Sequence, residues 1–242
     1  MADSRKHIIC AHRGLSGLAP ENTMAAFAAA EAVGADEIEF DVRLCGDGNM
    51  IVCHDECIDR VSDRKGKLSE YRLETLLTAN AGAYRGWYTY FCTPQQVIER
   101  FAGRITLNIH INEPGRDASV IRTLRRLLYQ NGALDYAYFS ASGQTLELCR
   151  RFAPEISRCA IDAADDSGLG AIDCAVRYAC SRVQFYKPRF TSAMVERAHS
   201  YGIRVGAYWA DDSYEARRFL DMKIDTILTH RADVLIAMPS RT

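Results

Sequence analysis

The sequence predicts an α/β chain folded as a TIM (β/α)8 barrel with a small insertion after strand two. Two observations carry that prediction. Short β-rich runs alternate with longer helix-patterned segments along the chain, the order that produces a parallel sheet. Eight main strand-like runs fit into 242 residues, close to the roughly 250 residues typical of such a barrel. The competing architecture is an open doubly wound sheet. No GxGxxG or Walker-type glycine loop follows any strand, which favours the barrel.

The first strand is HIICAHRG (7–14), followed by the helix PENTMAAFAAAEAVGA (20–35), with Asn22 and Thr23 as candidate caps and Gly34 marking its end. DEIEFDVRL (36–44) is the second strand, and the turn signal CGDG returns it as the short strand MIVCHD (50–55), a predicted hairpin. Residues 56–92 are irregular, with charged turns and aromatics, and form the insertion, too short for a domain of its own. The helix 93–103 then leads to the third main strand, LNIHIN (107–112). Helices at 116–132, 144–154, 168–180, 191–202 and 213–223 alternate with strands at 136–142, 156–162, 182–187, 203–210 and 225–231. A single barrel domain spanning 1–242 is expected.

Composition narrows the function classes. With 48% hydrophobic residues the chain can bury a sizeable core, and a net charge of -1 supplies no global field for nucleic acid or anionic membrane. No apolar run approaches the roughly 18 residues that span a bilayer, and the N-terminus lacks an export signal, so the expected location is cytoplasmic. The nine cysteines are odd in number and irregularly spaced, which reads as buried free thiols rather than disulfides or zinc ligands.

A parallel barrel places its chemistry at the C-terminal ends of its strands. Four of the six histidines lie there: His12, His54, His110 and His230. Glu39 and Asp41 in IEFDV are two apart, so strand geometry sets both carboxylates on one face. Side by side in a barrel they repel, and burial disfavours their charge; a hard divalent cation relieves both problems. A salt bridge to Arg or Lys is the competing reading. Arg13 beside His12 fits the cation only if an anion lies between them, and a phosphate accepts paired hydrogen bonds from a guanidinium. These groups suit phosphodiester cleavage, with one histidine as base, the other as acid, and the metal neutralising phosphoryl charge.

AHRG (11–14), PENTMAAF (20–27), GADEIEFDV (34–42), DG (47–48) and HD (54–55) resemble, in order and spacing, the signature of glycerophosphodiester phosphodiesterases. Weaker similarity continues through TPQQVIERF, LNIHIN, RAHSYGIRVGAYW and DTILTHR, and so covers most of the chain. The resemblance implies a TIM barrel, a glycerophosphodiester substrate and a divalent metal, Mg²⁺, Ca²⁺ or Mn²⁺; the imidazole of His110, as third ligand, also admits Zn²⁺. It implies that His12 and His54 are the acid/base pair, Arg13 binds phosphate, and Glu39 and Asp41 are metal ligands. Glu21 and Asn22 match a motif that braces the site, and Trp209 an aromatic that packs against the alcohol part of the substrate.

Three positions depart from the family pattern. His110 and Asn112 stand where the family usually carries a metal-binding glutamate and, two residues on, a lysine; Thr229-His230 replaces Thr-Asp. The first reading keeps His110 as third metal ligand and Asn112 at the substrate. A lyase forming a cyclic phosphate and a phosphodiester-binding protein without turnover are the alternatives.

Overall fold

The computed structural model describes residues 7–161 and 170–239. Its strands are β1 (Ile8–Ala11), β2 (Glu37–Leu44), β3 (Met50–Val52), β4 (Thr106–Ile111), β5 (Ala137–Ala141), β6 (Ser157–Ile161), β7 (Arg182–Tyr186), β8 (Arg204–Tyr208) and β9 (Thr226–Thr229). Its α-helices are α1 (Met24–Ala32), α2 (Leu73–Leu76), α3 (Pro94–Phe101), α4 (Ser119–Gln130), α5 (Gly143–Phe152), α6 (Ala171–Arg177), α7 (Ser192–Ser200), α8 (Ser213–Asp221) and α9 (Ala232–Ile236). β1 pairs in parallel with both β2 and β9, which closes eight parallel strands into a barrel and rules out the open sheet. β3 hangs antiparallel on β2, as the hairpin signal predicts.

Strand alternation sorts the side chains of β2. Ile38, Phe40 and Val42 pack outward under the helices with Phe27, Phe101 and Ile109. Glu37, Glu39 and Asp41 face the lumen, where bonds cross between strands that are not neighbours. The Tyr138 hydroxyl donates to Glu37 at 2.6 Å, and Arg182 lies 3.3 Å from the same carboxylate. Farther up, Asn108 accepts from the Ser140 hydroxyl and donates to Gln184 at 3.4 Å. Such barrels are more often filled by branched apolar side chains; this one stacks paired polar groups beneath its mouth.

The structure departs locally from the sequence expectation. β1 ends at Ala11, so His12, Arg13 and Gly14 form a turn rather than strand. Gly14 has φ +77°, and a Cβ there would meet the Ala26 carbonyl carbon at 2.6 Å. Thr23 alone caps α1, its hydroxyl accepting from the Ala26 N–H, while Asn22 turns into the barrel. The fifth-strand end and the first residues of the helix expected at 168–180 lie outside the described residues; α6 begins at Ala171. Helix α9 had no counterpart in the sequence reading.

The stretch between β3 and α3 holds α2 and its own apolar cluster, including Ile58, Val61, Leu68, Leu76 and Phe91. Arg85 fastens it to the loop after β1, donating to the carbonyls of Ser16, Gly17 and Ala19 at 2.5–3.0 Å. Eight of the nine free cysteines are buried and Cys57 is exposed. Among the described residues no helix is long and apolar enough to cross a membrane.

Candidate active site

Register sets Asp41 of β2 opposite His110 of β4. Glu39, Asp41 and His110 each offer a ligand atom, all within 4.8 Å of one another. His110 Nδ1 is 2.8 Å from Asp41 Oδ1 and 4.0 Å from Glu39 Oε1. Both carboxylates are buried, yet their proton affinities diverge. Burial and the neighbouring Asp41 push Glu39 well above the usual carboxylate range. Burial also acts on Asp41, but the His110 hydrogen bond and the charges of His110 and Arg13 outweigh it and hold Asp41 well below that range. Two carboxylates and an imidazole at this spacing form a donor set that fits a divalent cation.

A carboxyl whose folded pKa exceeds its unfolded one subtracts stability at every pH above the ordinary carboxylate range. Glu39→Gln removes that burden and the ligand together. The expected metal-free variant is at least as stable as the parent, but its melting temperature no longer rises on adding Mn²⁺. For the parent, ion at a hundred times its Kd adds about 2.7 kcal/mol, roughly 5–10 °C in a chain this size. Thermal melts with Mn²⁺ and with EDTA check this; an equal Mn²⁺ response in both proteins would remove Glu39 from the site.

Arg13 leans over the carboxylates. Its backbone N–H donates to Glu39 at 2.9 Å, its Nη1 donates to Glu21 at 2.9 Å, and its Nε lies 3.5 Å from Asp41. That Nε is buried and has no hydrogen-bond partner. Asn22 braces Asp41 from behind: Nδ2 donates to Oδ2 at 2.9 Å, and Oδ1 accepts from the Asp41 N–H at 3.3 Å. Arg60 of the insertion donates to both oxygens of Glu21 at 2.7 and 2.8 Å and to Asp55 at 2.7 Å. Asp55 in turn lies 2.6 Å from His54 Nδ1. Nothing in the local sequence around Arg60 signals this bridge.

Asn112 does not stand free at the mouth. It donates to Asp41 at 3.3 Å and accepts from Arg43 at 3.5 Å, while Arg43 Nε donates to the His54 carbonyl at 2.5 Å. Arg43, two residues beyond Asp41 on β2, therefore brings a guanidinium to the rim that the sequence reading passed over.

His12 is buried, its Nε2 3.8 Å from Glu39. Burial, with the Arg13, His230 and His54 charges, pushes its pKa well below the usual imidazole value against the pull of Asp41. Its Nδ1 lies 2.9 Å from His230 Nε2, and His230 Nδ1 lies 2.8 Å from Asp211. Trp209 stacks on the His12 ring with centroids 5.7 Å apart. The sequence signal that could have found Asp211 is its place just past β8, in YWADD, at the end where barrel chemistry collects.

Comparison with known proteins decides the family. The model of the glycerophosphoryl diester phosphodiesterase family matches residues 12–234. The chain belongs to that family. This phosphodiesterase is 26% identical over 241 residues to a glycerophosphodiester phosphodiesterase of Caldanaerobacter subterraneus subsp. tengcongensis, covering 96% of this chain and 97% of that one. Its fold matches a glycerophosphodiester phosphodiesterase from Agrobacterium tumefaciens at a TM-score of 0.81, with 24% identity over 96% of this chain and all of that one. An Oleispira antarctica phosphodiesterase, solved with the product sn-glycerol-3-phosphate, matches at 0.83, with 24% identity over 93% of this chain and 94% of that one. The expected barrel and the expected family are both borne out: the phosphodiesterase is a hydrolase of glycerophosphodiesters.

Proposed function

We propose that this phosphodiesterase cleaves glycerophosphodiesters to glycerol phosphate and an alcohol with His12 as general base and His54 as general acid. The observation that carries the reading is the unpartnered buried Nε of Arg13 beside the Glu39–Asp41–His110 cluster. A buried N–H that makes no hydrogen bond is costly unless a further acceptor completes it, and a phosphate oxygen would do so at Arg13 Nε. His12, kept neutral by burial, takes the proton from the attacking hydroxyl or water. His54, held through Nδ1 by Asp55, passes a proton from Nε2 to the leaving oxygen. Glu39, Asp41 and His110 would hold a divalent ion, which supplies charge neutralisation at the phosphoryl oxygens. Glu21 and Asn22 keep Arg13 and Asp41 aligned. Asn112 and Trp209 line the substrate side, Trp209 also holding His12 by stacking. The product bound by the Oleispira relative supports a small phosphate ester in this mouth. Nine cysteines outside any disulfide support a reducing, cytoplasmic setting.

Phosphorus NMR of reactions with glycerophosphocholine, glycerophosphoethanolamine and glycerophosphoinositol tests the reaction. Glycerol phosphate should appear without an accumulating cyclic ester. A stable cyclic phosphate would instead make the chain a lyase, and binding without product would leave it a binding protein. His110 adds a nitrogen to an otherwise oxygen-based set, so EDTA-stripped enzyme should regain more activity with Mn²⁺ or Zn²⁺ than with Mg²⁺ or Ca²⁺. Full recovery on Mg²⁺ alone, with no gain from Mn²⁺ or Zn²⁺, overturns that preference.

A further inference from the structure

Two residues past the ends of β8 and β9 form a chain of hydrogen bonds that stops at His12. We propose that Asp211 and His230 are positioning residues that fix the tautomer of His12, leaving its Nε2 bare on the side of Glu39. The proposal rests on His12 being the base, as argued above, and adds what orients it.

The assignment follows from counting donors and acceptors along the chain. Asp211 uses both oxygens. Oδ1 accepts from the His230 N–H at 2.8 Å and from the Thr229 hydroxyl at 3.1 Å; Oδ2 lies 2.8 Å from His230 Nδ1. Burial raises the Asp211 carboxyl, but the hydrogen bonds from His230 and Thr229 lower it and keep the group ionised. An ionised carboxylate only accepts, so His230 Nδ1 carries a hydrogen. Neutral His230 then has a lone pair on Nε2, 2.9 Å from His12 Nδ1. Only a hydrogen on His12 Nδ1 satisfies that contact, and the neutral His12 ring must leave Nε2 unprotonated. That nitrogen is the one 3.8 Å from Glu39. Trp209 keeps both rings in place, stacked on His12 at 16° and edge-on to His230 at 71° with centroids 5.0 Å apart.

Asp211→Asn is close to a pure tautomer switch. Its Oδ1 still serves Thr229 and the His230 N–H, which keeps the amide from flipping. Its Nδ2 now donates to His230 Nδ1, so the hydrogen of His230 moves to Nε2. That hydrogen points at His12 Nδ1 and places the His12 proton on Nε2, where a base needs a lone pair.

The test reads long-range ¹H–¹⁵N NMR of the histidine ring nitrogens in the full-length protein, beside steady-state kinetics on glycerophosphocholine. In the parent, His12 Nε2 should show the shift of a bare nitrogen and Nδ1 that of a protonated one; in Asp211→Asn the two should exchange. Turnover of the variant should fall about 10²-fold or more, the scale of a lost or misoriented general base, with KM changed only a few-fold. Asp211→Glu should regain part of the loss, and Asp211→Asn should cost nothing further in a His12→Ala background. A protonated His12 Nε2 in the parent overturns the proposal. So does an unchanged tautomer in Asp211→Asn, or an undiminished effect in the double variant. If the tautomers exchange as expected but no glycerophosphodiester is cleaved by any form, the relay stands and the functional reading falls.

Discussion

His12→Ala and His54→Ala each lower turnover by roughly 10²–10⁴-fold, the range of general acid–base catalysis, and the two losses differ in kind. His54 sits at the rim, 38% exposed beside Asp55, and as the proposed general acid it would face the leaving alcohol. Its proton matters in proportion to the basicity of that alcohol. A phosphodiester with a p-nitrophenolate leaving group needs no acid, so His54→Ala regains most of its activity on that substrate. His12→Ala does not, because the attacking oxygen still has to lose its proton. Kinetics of both variants on choline and p-nitrophenyl esters separate the roles. Equal rescue of both would reverse or dissolve the assignment, and near-normal turnover of both would remove them from the mechanism.

Asp41→Ala is expected to be the most damaging substitution for folding stability within the site. The residue is buried and ionised, and it answers Asn22, His110, Asn112 and Arg13 at once. Removing it strands the Arg13 guanidinium, and breaking a buried pair from one side costs about 3–5 kcal/mol. The pH dependence has the sign opposite to that of Glu39. A depressed carboxyl stabilises the fold above its unfolded pKa, and that contribution is lost as pH falls through the ordinary carboxylate range and below. Urea titrations at neutral pH and at pH 3 and below should show the gap between parent and variant narrowing in acid. A gap that holds constant would mean that Asp41 is not the charge that anchors Arg13.

Much of the barrel was legible because it is written in short periods. The alternation of DEIEFDV separates outward Ile38, Phe40 and Val42 from inward Glu39 and Asp41 within one strand. The hairpin at CGDG and the strand-end placing of the histidines likewise depend on neighbours in sequence. Helix α9 escaped because five residues, ADVLI, are too few to display a helical period. Asn22 looked like a cap because caps and ligand braces draw on the same polar residues; only the approach of β2 distinguishes the two. Arg60 and Arg43 were unreadable for a different reason. Their partners lie 39 and 69 positions away, at Glu21 and Asn112, and no local pattern encodes such meetings.

The Arg60 bridge ties the insertion to the strand-borne site. The stretch between β3 and α3 stands outside the eight-stranded frame, yet through one guanidinium it holds both Glu21, the partner of Arg13, and Asp55, the partner of His54. On the roles proposed for Arg13 and His54, phosphate grip and proton delivery would share a keystone lying outside the strand motifs. Evolution or design that exchanges this stretch to recognise a new alcohol inherits a boundary condition: the replacement must return a forked cation to the same point, or selectivity is acquired at the expense of alignment.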